Sequence, residues 1–440
     1  MDILIKIVQL FLCFTLLVGI HELGHFLMAR LFGIRVEKFY IFFDPWFSLF
    51  KFRRGGTEYG VGWLPLGGYV KIAGMIDESL DTEQMKQPVQ PDEFRAKPAW
   101  QRFLVMIAGI VMNVLLAVVI YCGVCYAWGE RYFSNEDAVY GYAFNEPARS
   151  LGFEDGDRIL AIDGREIDDV SAIPMTLLLT ESDRTVSVER DGRRVDFTIP
   201  FRQLVDFRRT KGYEEMLMLR TPFRIDSIVS VSAREAGLLP GDEVVAFDGE
   251  RCVEFSEYVR RLADRRSENA ALTVVRGDST LVLTVPVSDD GKIGVTVARH
   301  EYRLCTKEYT LWQSIPAGIR RTGRVIADYW EQLKLILQPK TQMYEELGGF
   351  IAIGSIFPSA WDWQDFWNKC AFISIILAVM NILPIPGLDG GHALFTLWEM
   401  ITGRKPSDRF LEVAQYVGLA IILVLLVYAN GNDIYRFLIK

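Results

Sequence analysis

From Phe103 to Trp128 the chain runs 26 positions without a charged residue. A helix of that length reaches about 39 Å at 1.5 Å per residue, more than the roughly 30 Å of a bilayer's hydrocarbon core. No other feature limits the fold so sharply, because backbone inside lipid must satisfy its own hydrogen bonds. Ile3 to Ile20 is a second apolar stretch, interrupted by Lys6, Gln9 and Thr15, and its helical pattern continues to about Phe32, just before Gly33. With no small-residue cleavage site behind it, it reads as a membrane helix rather than a signal peptide. Phe366 to Leu383 supplies a third span that stops at Pro384 and Pro386, and Leu411 to Ala429 a fourth.

Basic residues orient these spans. Arg30, Arg35, Lys38, Lys51, Arg53 and Arg54 follow the first span, and Arg404, Lys405 and Arg409 precede the fourth. Short basic loops face the cytoplasm, which puts both termini and the long central segment on the outer face. A net charge of −8 lacks the basic footprint of a nucleic-acid binder. Six cysteines in 440 residues make no disulfide framework. Cys122 and Cys125 sit one helical turn apart in an apolar helix, where such neighbours pack. Whether Cys252 and Cys305 pair is left open.

The segment from about Glu130 to Val297 is soluble in composition and contains a repeat. Gly156-Asp157 returns as Gly241-Asp242 and Asp163-Gly164 as Asp248-Gly249, both offset by 85 residues; Thr198-Ile199-Pro200 answers Thr284-Val285-Pro286 at 86. Alternating stretches such as Thr185-Val186-Ser187-Val188 and Leu281-Val282-Leu283-Thr284 predict strands. Two copies of this length suit two small α+β domains, drawn at 129–215 and 216–300. Between the first two spans, in a cytoplasmic loop over 35–102, the stretches Gly56 to Trp63 and Leu64 to Lys71 are aromatic and Gly-rich, predicting short strands joined by a turn. That hairpin region, at about 51–74, is expected to associate with the membrane and to offer an edge to an extended substrate. Residues 301–365 read as an interfacial segment around an amphipathic helix, Leu311 to about Leu337, with Trp312, Tyr329 and Trp330 as anchors. The remaining boundaries are 1–34, 103–128, 366–396, 410–430 and a tail at 431–440.

The first span ends in His21-Glu22-Leu23-Gly24-His25, holding two of the chain's four histidines. Positions i and i+4 share one helix face, so both imidazoles can reach one Zn²⁺, with Glu22 beside them as a base for water. Polar groups at that depth are costly without a function. A catalytic zinc wants a third protein ligand. The broken third span, Asn381-Ile382-Leu383-Pro384-Ile385-Pro386-Gly387-Leu388-Asp389-Gly390-Gly391-His392, offers Asp389 or His392, and the chemistry of the residues leaves that choice open. His300, among soluble-domain residues, reads as a surface histidine.

The two motifs together resemble the site-2 protease family of intramembrane zinc metalloproteases, and the Gly-Asp…Asp-Gly repeat resembles PDZ domains. The resemblance covers nearly the whole chain. It implies His21, His25 and Asp389 as ligands of one Zn²⁺ and Glu22 as catalytic base. It implies Asn113, Asn381, Pro384, Pro386, Gly67, Gly68 and Tyr69 as substrate-binding or transition-state residues. The fold expected is a polytopic α-helical membrane protein of four spans, with a membrane-associated β-hairpin region and two α+β PDZ-like domains. Implied too are a bacterial inner-membrane location, PDZ domains on the periplasmic side, an active site toward the cytoplasm and lipid as surroundings. Substrates would be single-span proteins, anti-sigma factors or remnant signal peptides, first trimmed by an upstream site-1-type protease. The alternative reading is a non-catalytic PDZ scaffold with a structural zinc site, which has no need of Glu22. The sequence departs from the family at Gly109-Ile110-Val111-Met112-Asn113 and at Gly349-Phe350, where a proline commonly follows the glycine.

Overall fold

A computed structural model describes residues 2–64, 67–75, 87–252, 255–298 and 304–436; His300 lies outside them. The chain divides into two compact units, residues 1–130 with 308–440, and residues 131–307.

The first unit is a helical bundle carrying a small sheet. Helix α1 (Asp2–Leu31) has no charge between Lys6 and Glu22 and ends where Gly33 turns left-handed at φ 64°. Four strands follow: β1 (Val36–Ile41), β2 (Phe43–Arg54), β3 (Thr57–Leu64) and β4 (Tyr69–Ile72). Helix α2 (Ala99–Trp128) starts behind Pro98 and stops at Gly129. The later helices are α3 (Leu311–Ile336), α4 (Phe350–Ser355), α5 (Trp363–Ile382), α6 (Asp389–Thr402) and α7 (Asp408–Ile434). Asp362 caps α5 by accepting from Asp365 N–H, and Ser407 caps α7 by accepting from Phe410 N–H. α1, α2, α5 and α7 are long and apolar enough to cross a membrane, as expected. Their apolar side chains also lie open on the surface of the unit, including Ile3, Phe11, Val119, Leu423 and Val424. In water such a belt would aggregate; against lipid tails it is solvated.

Polar and small residues join the helices. Gln9 is buried and donates from Nε2 to Pro358 O at 2.9 Å; Ser374 Oγ donates to Asn113 O at 2.8 Å. A Cβ on Gly24 would fall 2.5 Å from Ala108 O, so α1 and α2 touch backbone to backbone at the motif.

The expected hairpin needs correcting. The sheet order is β2-β3-β1-β4, with β1 parallel to β3 and antiparallel to β4. The stretches expected to pair are therefore separated by β1, and the real hairpin joins β2 to β3 through Gly55-Gly56. β1 carries no period-2 alternation. It is held by contacts distant in sequence, such as the Tyr40–Tyr69 ring stack at 5.3 Å. The third span stops before Pro384 and Pro386, as expected: the chain breaks after Ile382 and restarts as the separate helix α6.

The second unit holds two β-rich modules built alike. In the first, strands run Arg193–Ile199, Arg184–Arg190, Arg158–Ile162, Arg165–Glu166 in spatial order, with Tyr142–Phe144 paired to Leu217–Leu219. In the second the order is Ser279–Pro286, Asn269–Arg276, Glu243–Phe247, Phe223–Ile228, Val295–Val297. Short helices Glu146–Ser150 and Val231–Glu235 stand 85 residues apart, capped by Asn145 and Ser230. The repeated Gly-Asp aspartates do identical local work. Asp157 is gripped by Arg190 and by Glu154 N–H, and Asp242 by Arg276 and by Leu239 N–H. The Asp-Gly aspartates likewise accept from Thr185 N–H and Ala271 N–H at 2.9 Å. Each module has its own core, around Phe153, Val186 and Leu204 in one and Phe223, Tyr258 and Leu272 in the other. Cys252 and Cys305 are not joined in a disulfide.

Candidate metal centre

The one-turn spacing of His21 and His25 stacks their rings edge to face, 4.9 Å between centroids, on the side of α1 that meets α2. Pro384 and Pro386 end α5, and the chain folds back on itself before α6 begins at Asp389. This reversal is tight: a Cβ on Gly390 would lie 2.4 Å from Leu383 O, and one on Gly391 2.5 Å from Ile385 O. Asp389 Oδ2 thereby reaches 3.1 Å from His21 Nε2 and 3.3 Å from His25 Nε2, while the two Nε2 atoms stand 3.3 Å apart. Ligand bonds of about 2.0–2.1 Å in tetrahedral geometry give donor separations of about 3.3 Å. The three donors outline one face of such a tetrahedron.

Three further observations fit a cation there. Asp389 Oδ2 is buried and receives no hydrogen bond. His25 Nδ1 donates to Val105 O at 2.8 Å, since a carbonyl can only accept, so the Nε2 of a neutral ring is a lone pair. Gly109 leaves room in front of both rings, where a Cβ would fall 2.4 Å from His25 Nε2 and 2.8 Å from His21 Nδ1. His21, His25 and Asp389 are the metal-ready group found among the described residues; His392, three residues on, is outside it.

The triad opens into a cavity of about 530 Å³, also lined by Glu22, Gly68, Tyr69, Asn381 and His392. Gly68 lies against α1, where a Cβ would meet Val18 Cγ1 at 2.7 Å and Glu22 Cγ at 3.3 Å. Tyr69 OH donates to Asp44 Oδ1 at 2.9 Å, and Asn381 Nδ2 is 3.5 Å from His21 Nε2. Asn113, fully buried, places Nδ2 3.3 Å from His21 Nδ1, on the edge of the ring away from Asp389. Gly67 packs near Phe43, and Pro386 supports α7, whose Gly418 would drive a Cβ into Pro386 O. Pro384 lies in the break itself and is not among the lining residues.

Among the lining residues that sequence reasoning did not single out, two are polar groups in apolar stretches. Asp44 stands alone as an acid in an aromatic stretch, Phe43-Asp44-Pro45-Trp46. Gln415 is a buried polar side chain in the apolar run of α7. Each carried a signal, a polar group where composition predicts none.

Apolar helices around two histidines, a bare carboxylate and an adjacent glutamate define a membrane metallopeptidase. Residues 9–425 match the model of Peptidase family M50, and the chain belongs to that family. It is 30% identical to a Xylella fastidiosa protein named "Putative zinc metalloprotease", over 98% of this chain and 99% of that one. It is 29% identical to the Regulator of sigma E protease of Haemophilus influenzae, over 96% and 97% of the two chains.

Proposed function

We propose that the chain hydrolyses peptide bonds of single-span membrane proteins, within or at the edge of the bilayer, with one Zn²⁺ held by His21, His25 and Asp389. The observation that carries this reading is the 3.1–3.3 Å donor triangle with an unsatisfied carboxylate oxygen inside a bundle of apolar helices. The zinc names of the relatives support the choice of metal. Bound there, zinc polarises a water and the scissile carbonyl. Glu22 takes the proton from the attacking water and passes it to the leaving amine nitrogen. The Asn381 amide, on the cavity side of His21, donates toward the carbonyl oxygen as it gains charge.

The cavity wall suits an extended chain. β4 is the last strand of its sheet order, and Tyr69 to Ile72 line the cavity together with Gly68. A substrate segment unwound from its helix can add to that edge, exposing the carbonyls that a helix hides. Gly67 and Gly68 keep that approach clear, and Pro384 and Pro386 hold the Asp389 loop open. The substrates are single-span proteins trimmed on the outer side by a prior protease, such as anti-sigma factors or remnant signal peptides. The two repeats are PDZ-like domains on the periplasmic side of the inner membrane that screen or dock the trimmed end. The basic loops support an active site toward the cytoplasm.

The test is cleavage of a tagged single-span protein, outer domain removed, by purified wild type and Glu22→Gln with zinc content measured. Wild type alone should cut, with the variant's turnover lower by about 10²–10⁴-fold and zinc present in both. Equal cleavage by both overturns the mechanism. No cleavage by either, with zinc bound, over a panel of trimmed substrates favours a scaffold.

A further inference from the structure

The structure shows an asymmetry in how α2 supports the two histidines. His25 Nδ1 is held by a main-chain oxygen, Val105 O, whereas the group at His21 Nδ1 is a side chain, Asn113. Val105, Gly109 and Asn113 recur every fourth residue and so lie along one stripe of α2. His21 and His25 have the same spacing on α1, and the pairing is crossed, the earlier residue of one helix meeting the later residue of the other. α2 is thus a second ladder, in register with the first: a hydrogen-bond acceptor, a gap and an amide.

Resting on the metalloprotease reading above, we infer that Asn113 is a positioning residue whose carboxamide oxygen accepts the Nδ1 proton of His21 and so fixes the tautomer that presents Nε2 to the metal. A metal-binding Nε2 must be a lone pair, which leaves the proton of a neutral ring on Nδ1. That N–H points at the fully buried Asn113 amide, which is the group beside it that can accept. As placed, Nδ2 faces the ring and Oδ1 has no partner. Heavy-atom positions do not distinguish the two ends of an amide. Exchanging them leaves the number of hydrogen bonds unchanged and turns the contact into Nδ1–H···Oδ1. Asn113 therefore acts behind the ring, without touching substrate.

Three variants of the full chain in detergent test this by Zn²⁺ competition against a chromogenic chelator, with melting of the metal-free form as the folding control. Asn113→Leu keeps the shape and removes the acceptor; zinc affinity should fall about 10–100-fold, as for other outer-shell partners, with metal-free melting unmoved. Asn113→Asp can only accept at neutral pH and should keep wild-type affinity or exceed it. Asp389→Ala, lacking a direct ligand, marks the floor. Wild-type affinity in Asn113→Leu overturns the inference. So does a loss in Asn113→Asp as large as in Asn113→Leu, which would make the amide a donor, and the Asp variant decides alone if the Leu variant does not fold. A wild type that binds no zinc above the floor overturns the metalloprotease reading itself. Normal wild-type binding with indifference to position 113 overturns the positioning role alone.

Discussion

Asp389 and Asp242 both hold a carboxylate oxygen out of water, and the two are treated in opposite ways. Both oxygens of Asp242 are satisfied, by Arg276 Nε at 2.7 Å, Arg276 Nη2 at 2.7 Å and Leu239 N–H at 2.9 Å; Asp157 in the other module matches it bond for bond. Asp389 Oδ2 receives no hydrogen bond and faces two imidazole nitrogens, at least one of them a lone pair. A buried carboxylate whose two oxygens both accept hydrogen bonds, one of them twice, is an anchor: it holds a turn. One with spare lone pairs aimed at other lone pairs is unstable by itself and is explained by a cation arriving from outside. Burial does not separate the structural acid from the functional one; the completeness of its hydrogen bonding does.

That contrast can be broken most severely at the metal end. Asp389→Ala should abolish cleavage and strip bound zinc, while in the metal-free state the helical bundle melts no lower than the metal-free wild type, since an unsatisfied charge is removed; metal analysis beside thermal unfolding of the metal-free forms reads both. Next in size is Gly109→Ala, which leaves every ligand in place and pushes a methyl group to 2.4 Å from His25 Nε2. Zinc affinity and turnover should fall together by at least about tenfold, as for a displaced ligand sphere. At the anchor end, Arg276→Ala should leave zinc content untouched and lower the melting temperature of its module, because it strands the buried Asp242 carboxylate. The smallest effect is on pH. Burial alone would raise the Asp242 pKa, but Arg276 and the Leu239 N–H outweigh it and hold the group below the usual carboxylate range. Its contribution to stability is complete above the unfolded-state value of about 4 and is lost as pH falls through the lower folded value. Asp242→Asn should therefore lower the module's stability near neutrality and flatten the acid limb of its unfolding curve, the gap from wild type closing as pH falls through the folded value.

The same distinction explains what could be read from the sequence. The four spans were legible because lipid imposes a long, uninterrupted apolar run. The histidine pair of the donor cluster was legible because i,i+4 spacing is local, but that Asp389 rather than His392 stands beside it depends on a chain reversal that only the packed glycines at 390 and 391 fix. The repeat showed itself through residues that each make local bonds, Asp157 within its own turn and Asp242 within its own. The sheet order was not legible. β1 pairs in parallel with a strand some 20 residues on and stacks Tyr40 on Tyr69, and no periodicity within Val36–Ile41 encodes either contact. Nor could the partner of Asn113 be read, since it lies 92 residues away on another helix.

The stripe formed by Val105, Gly109 and Asn113 also says which changes in chain length the protein tolerates. Each helical residue turns the chain by about 100°, so one residue inserted between Val105 and Asn113 swings the amide a quarter-turn or more from His21. The 79 residues between His25 and Val105 set no such helical phase for the two histidines, although β4 and Gly68 within them line the cavity. Insertions and deletions within two turns of this one apolar helix should therefore be fatal to the centre, where hydropathy alone would register no difference.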